Sequence, residues 1–410
     1  MATTSANRIE TLDVIRGVAV MGILAANLPA FALPRSAYFS PLPWGGTALG
    51  DQVAWALTYI FVEGKMRGLF SFLFGASLLL VVERAEAAGR NGAGIHYARM
   101  FWLFVIGCLH LYLVWWGDIL AHYALVGSIA FLFRRLSVGA LVAAGAASTL
   151  MGWLFALGGA WIAFGGGPEA AGLLAGFGGP DPDAAAEVAA MRGGWWEGVA
   201  WRLANAGDPV SDLPYLGPET LGAMLWGMAA LRSGLLTGGW ARERYRRWAV
   251  ITLGLGWAGY AALAVATMRH GFDPARVFLN SVVLAAPLRP LAIIGYACLI
   301  VLLMRPGGAL TARIGAAGRA AFTNYLGTSL LMTFAFYGWG LGLFARLGRA
   351  EMYGLALLAW AIMLAWSKPW LERYRYGPLE WAWRSLSRLE RQPMRRSTTP
   401  DDGVRPARTP

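Results

Sequence analysis

The chain has 410 residues, of which 57% are apolar and only 14% charged, against about 25% charged in soluble domains. That excludes an ordinary soluble globular protein. The formal net charge of +12 would point to nucleic acid in a soluble chain, but the basic residues lie between apolar runs, where membrane topology accounts for them; no nucleic-acid partner is expected.

A bilayer span takes about 20 apolar residues. In chain order, spans are expected near 14–33, 64–83, 100–116, 118–133, 138–164, 218–236, 248–268, 278–304, 320–343 and 350–367. The first run competes with a cleavable signal peptide, which Ala25-Ala26-Asn27 loosely suits, but it carries Arg16 and exceeds the usual core of about 7–15 residues. Residues 50–63 are amphipathic and predict a partial or interfacial helix leading into the second span. The fold expected is an all-α polytopic bundle of about ten transmembrane helices with both termini cytoplasmic. Inward segments then carry 23 Lys and Arg and outward ones 7, as the positive-inside rule requires. Localisation follows as a bacterial inner membrane, with membrane lipids as the surrounding partner.

This divides the chain into a cytoplasmic N-terminus (1–13), an N-terminal membrane bundle (14–164), an external loop (165–217), a C-terminal membrane bundle (218–388) and a disordered basic cytoplasmic tail (389–410). The external loop holds seven acidic residues against two Arg, and its Trp195, Trp196 and Trp201 suit an interfacial helix. No internal repeat of the transporter kind is visible.

Ionisable residues inside spans are costly and mark function. Arg16 begins the first span, either as a snorkelling anchor or as an anion contact facing the bundle; Gly17 and Gly22 beside it permit close helix approach. Glu63-Gly64-Lys65-Met66-Arg67 puts three charges at the outer start of the second span, as a local ion pair or as groups aimed inward. His110 lies in the third span. Asp118 and His122 stand i, i+4, which on a helix shares a face, and a carboxylate orienting a His is what a general base needs; Asp118 after Gly117 also suits an N-cap. Arg289 in Pro287-Leu288-Arg289-Pro290 predicts a broken helix lining a polar cavity. Arg319, Thr323, Asn324 and Thr328 form a polar stripe, which helix–helix hydrogen bonding also explains. Cys108 and Cys298 have no CxxC and the four His no HExxH, so no metal site and no tightly bound cofactor is expected.

Several stretches carry a resemblance: Leu12-Asp13-Val14-Ile15-Arg16-Gly17 with Asn27; Glu63-Gly64-Lys65 with Leu69-Phe70-Ser71-Phe72-Leu73-Phe74-Gly75; Gly107-Cys108-Leu109-His110 with Gly117-Asp118-Ile119-Leu120 and Tyr123; Leu225-Trp226-Gly227-Met228-Ala229; Gly318-Arg319 with Thr323-Asn324-Tyr325; and Gly377-Pro378-Leu379-Glu380-Trp381 with Arg384. As an ordered set they resemble the YeiB-like bacterial membrane proteins, a family catalogued under a domain of unknown function. That family is distantly similar to transmembrane acyltransferases such as the heparan-glucosaminide acetyltransferases. The resemblance implies an acyl group taken from cytoplasmic acyl-CoA, as a co-substrate, and delivered to an envelope sugar or lipid-linked acceptor. The acetyltransferase pattern has a His in the first outer loop. Residues 34–50 contain none, so His110 or His122 would stand in, with Asp118 as its partner. Arg16 and Arg319 would form an inner basic layer for the CoA phosphates, and Lys65, Arg67, Arg289 and Asn324 would contact substrate. Two other functions use the same arginines or none of them: a small-anion transporter, and a non-catalytic membrane partner of another enzyme.

Overall fold

Inside a bilayer each backbone N–H and C=O must find its partner within the protein, so apolar runs fold as helices. The computed structural model describes residues 9–396, which fold as helices joined by turns and loops, and among the described residues the only β-type pairing is an isolated bridge between Tyr374 and Arg395. In chain order the helices are α1 (Glu10–Ala32), α2 (Leu49–Phe61), α3 (Lys65–Ala87), α4 (Gly92–Leu113), α5 (Leu120–Ala130), α6 (Val138–Gly165), α7 (Gly167–Ala175), α8 (Ala184–Arg192), α9 (Trp195–Asn205), α10 (Leu213–Arg232), α11 (Arg242–Arg269), α12 (Pro274–Phe278), α13 (Arg289–Leu303), α14 (Ala309–Arg319), α15 (Ala321–Phe336), α16 (Arg349–Arg373) and α17 (Pro378–Arg388).

Seven helical segments among the described residues are long and apolar enough to cross a membrane: 10–32, 49–87, 92–113, 138–165, 242–269, 274–303 and 349–373. The architecture is therefore an all-α multipass bundle. The run expected at 118–133 forms a shorter apolar helix, Leu120–Phe133. α2, at 13 residues, reaches about 20 Å, short of a hydrocarbon core of about 30 Å. It breaks from α3 at Gly64, whose φ of +70° falls in the left-handed region that glycine adopts without penalty.

α1 and α3 form the centre. Two glycine contacts set the packing. A Cβ on Gly227 of α10 would sit 1.7 Å from the Phe72 carbonyl oxygen of α3, and one on Gly318 of α14 would sit 1.9 Å from that of Asp13 in α1. Small residues are what allow backbones to approach this closely without a hydrophobic drive between helices.

Three segments differ from the sequence expectation. α4 begins at Gly92, eight residues before the apolar run at 100–116, because Asn91 caps it by accepting from the Gly94 amide. Residues 165–217 fold into α7, α8, α9 and the start of α10, and Trp201 of α9 is buried while Trp196 is exposed. At the C-terminus, residues 389–396 fold back on α17: Trp381 Nε1 donates to the Gln392 carbonyl and the Arg375 amide to that of Met394. The rest of the tail expected to be disordered, 397–410, and the first eight residues lie outside the described residues.

Candidate functional site

One end of the bundle contains a cavity of about 360 Å³ walled by α1, α3, α4, α5, α14, α15 and α17. Its lining runs along α3 from Arg84 to Phe70; fourteen residues at 1.5 Å each give a length of about 21 Å. Arg16, Arg84, Arg99, Arg319 and Arg384 line it, with Asp13 and Glu380 as the carboxylates. Five guanidinium groups against two carboxylates leave an excess of three positive charges. The walls are apolar, with Leu73, Phe74, Met100 and Leu103 among them, and the deep end is formed by Ile23, Phe70, Leu120, Tyr123 and Tyr325.

Arg16, Arg99 and Arg384 are each held by a neighbour. Arg16 donates to Ser77 Oγ at 2.8 Å and to Asp13 at 3.4 Å. Arg99 lies 4.0 Å over the Trp383 ring, and Trp383 Nε1 donates to the Arg99 carbonyl at 3.0 Å. Arg384 lies 4.7 Å over Tyr376. Glu380 is spent on structure: it accepts from the amides of Phe322 and Thr323 and from the Thr323 hydroxyl, closing the N-terminus of α15. Burial pushes its carboxyl up, and the Thr323 hydroxyl and the amides pull it back.

Behind the deep end stands a histidine–carboxylate pair. His110 Nδ1 is 2.8 Å from Asp118 Oδ1, both side chains are almost wholly buried, and Asp118 Oδ2 accepts from the Ala121 amide at 2.9 Å. Asp118 thus caps α5 and orients His110 at once. His110 Nε2 is buried with no hydrogen-bond partner in the protein. The ring of Tyr325 stands 5.5 Å from that of His110.

Asp118 does not pair with His122 as the i, i+4 spacing predicted. It precedes the first helical residue of α5, so helical periodicity does not apply to it, and its free oxygen turns to α4. His122 instead meets Thr220 Oγ1 at 3.0 Å through Nε2.

A second polar cluster lies behind Tyr123, whose hydroxyl donates to the Arg67 carbonyl and accepts from Ser71. Glu219 bridges two arginines: Arg67 Nη2 at 3.0 Å, and Arg289 Nη1 in a tight ion pair. Arg289 Nη2 donates to the Ser281 carbonyl at 2.6 Å. The chain is broken before Arg289, as the flanking prolines predicted, by a π turn at Leu279–Val283 and a 3₁₀ turn at Ala286–Leu288. Yet Arg289 and Arg67 face Glu219 rather than the cavity.

Lys65 is also outside the cavity. It is fully buried, donates to the carbonyls of Tyr59 and Glu63, and sits 3.0 Å over the Tyr260 ring, a cation–π contact. Asn324 is saturated by Ala317, Ser367 and Trp366, so it braces α14, α15 and α16 rather than contacting a ligand. Among the described residues, no three His, Cys, Asp or Glu side chains gather into a group able to hold a metal ion. Of the candidate site residues named from the sequence, Arg16 and Arg319 line the cavity, with His110 and Asp118 adjoining it; Asp13, Tyr123, Tyr325, Glu380 and Arg384, quoted there only for the resemblance, line it as well. Glu219 was missed, although a carboxylate in the apolar run after Pro218 was a signal of the same kind as Arg289. Arg84 and Arg99 were missed, and Arg384 was not assigned to the site, because they fall outside the apolar runs.

Residues 230–390 match the family described as "Protein of unknown function (DUF418)". That stretch includes Arg289, Arg319, Tyr325, Glu380 and Arg384, while His110, Asp118 and Glu219 precede it. Three relatives are similar over nearly their whole length. "Uncharacterized protein YeiB" of Escherichia coli (strain K12) is 32% identical over 395 residues, covering 92% of this chain and 95% of the relative. "Uncharacterized protein YxaH" of Bacillus subtilis (strain 168) is 29% identical, covering 97% and 98%. The "Uncharacterized 39.9 kDa protein in amylase 3'region" of Bacillus acidopullulyticus is 25% identical, covering 93% and 94%.

Proposed function

The chain belongs to the YeiB-like family, and from that premise we propose that it is a bacterial inner-membrane acyltransferase, moving an acyl group from cytoplasmic acyl-CoA to an envelope sugar or lipid-linked acceptor. One observation carries this reading. A cavity about 21 Å long has its arginines toward one end and apolar walls, and it stops beside an oriented histidine with an open nitrogen.

In this reading the arginine-rich end faces the cytoplasm. The guanidinium groups take the phosphates of CoA, since arginine forks match phosphate oxygens and charge-assisted bonds are the strong ones. The pantetheine arm and acyl chain lie along the apolar wall, which brings the thioester toward His110. Asp118 accepts a hydrogen bond from Nδ1–H, which holds the proton on Nδ1 and leaves the Nε2 lone pair of neutral His110 free to act as base. The acceptor hydroxyl or amine gives its proton to Nε2 and attacks the thioester carbonyl. The C–S bond breaks, an ester or amide forms, and the proton passes from Nε2 to the CoA thiolate.

Calorimetry on the purified protein tests this. Wild type and His110→Ala should both bind acyl-CoA, with His110→Ala losing turnover by about 10²–10⁴-fold. Arg16→Ala combined with Arg319→Ala should lose binding. No acyl-CoA binding by wild type overturns the reading. Saturable binding of inorganic phosphate alone would then promote the small-anion transporter, and binding of neither the non-catalytic partner.

A further inference from the structure

The cavity and the histidine are separate compartments. Tyr325 is on the cavity wall and 6% exposed, while His110 is 3% exposed and absent from the lining. The two rings pack against each other, with centroids 5.5 Å apart. His110 cannot move toward the cavity without giving up Asp118, and Asp118 is itself fixed to the start of α5.

The backbone under Tyr325 is equally constrained. Its carbonyl accepts from the hydroxyls of Thr328 and Ser329, and the N-terminus of α15 one turn earlier is clamped by Glu380. What can yield is the tyrosine side chain, because its neighbour on one side is 360 Å³ of cavity. Interiors are otherwise packed too densely for a buried ring to leave its place.

We propose that Tyr325 is a specificity-determining partition: its ring ends the cavity in front of His110, so that a donor whose acyl chain is longer than the cavity is refused, and the ring turns aside into the cavity before Nε2 meets the reacting groups. This rests on the acyltransferase reading for the identity of the donor, but not for the separation of the two compartments.

Two measurements on the full-length protein in detergent test it, with wild type, Tyr325→Phe, Tyr325→Leu and Tyr325→Ala compared after each is shown to elute as a single folded species. The first is binding of acetyl-, butyryl- and octanoyl-CoA. The second is carbethoxylation of histidines by diethyl pyrocarbonate, read peptide by peptide, with His122 as the internal control. Wild type and Tyr325→Phe should favour the short chains and protect His110. Tyr325→Ala, and to a smaller degree Tyr325→Leu, should gain about tenfold or more for octanoyl-CoA over butyryl-CoA, since each newly buried methylene adds about fourfold. The same variants should raise the modification rate of His110 about tenfold with His122 unchanged. Unchanged His110 reactivity and chain preference in Tyr325→Ala overturn the partition. So does exposure of His110 by Tyr325→Phe, which would assign the screening to the hydroxyl. If wild type binds no acyl-CoA, the donor reading fails alone, and His110 reactivity still decides the partition.

Discussion

Replacing Glu219 with Gln leaves two arginines in the bundle without a counter-ion. Arg289 has 9% and Arg67 24% of its side chain exposed, and Glu219 is the acidic partner of both. Removing one member of a buried pair costs about 3–5 kcal/mol, because the remaining charge is left uncompensated. Here one substitution strands two charges, although Arg289 keeps the Ser281 carbonyl, and the partial exposure of Arg67 reduces its share. The expected loss is therefore in that range rather than double it. For a large chain, where each kcal/mol moves the midpoint by about 2 °C, this is a fall of roughly 6–10 °C. Arg289→Leu should cost less, because Glu219 then retains Arg67, and a central arginine is itself expensive to insert, at roughly 2.5–3.5 kcal/mol. The double variant should be less unstable than the two single losses added, since both act on one network. Thermal unfolding in detergent, followed by tryptophan fluorescence, reads all three. A Glu219→Gln midpoint within about 2 °C of wild type, or strict additivity in the double variant, would refute the argument.

Two further expectations concern the segment 165–217 and the topology. Glu187 of α8 accepts from the Arg35 amide at 3.1 Å and is 1% exposed, and burial raises its carboxyl to about 7 against the opposing pull of Arg35. The folded state then holds this proton more tightly than the unfolded one. Its contribution is full below the ordinary carboxyl value of about 4.5 and is lost as pH rises through about 7. Each pH unit within that window weakens docking by up to about 1.4 kcal/mol. Hydrogen exchange of α8 amides should be slower at pH 6 than at pH 8 once intrinsic rates are corrected, and Glu187→Gln should abolish the difference; equal protection in wild type sinks the idea. Reporter fusions after residues 90, 240 and 310 should read cytoplasmic, and those at 190 and 273 external. A cytoplasmic signal at 190 breaks the ten-span arrangement.

The multipass bundle was legible in the sequence because the bilayer imposes one requirement on every span, a run of about 20 apolar residues with its own hydrogen bonds satisfied, and hydropathy records that run without reference to any neighbour. The cost of ionisable groups in such runs likewise marked Arg16, His110, Asp118 and Arg289 before any contact was known. Which groups meet is a different matter. Glu219 joins Arg67 and Arg289 from positions 152 and 70 residues away, and Asp118 turns to His110 on α4 because it precedes α5 instead of riding on its face. The cavity draws on seven helices spread from Ile9 to Arg384, and Arg84, Arg99 and Arg384 join it only because α3 runs on past its apolar run, α4 starts early and α17 packs against α4 and α15. Such pairings depend on where glycine contacts such as Gly227 on Phe72 and Gly318 on Asp13 set the helices against one another. That is decided by packing in three dimensions, which no local pattern of hydropathy or spacing contains.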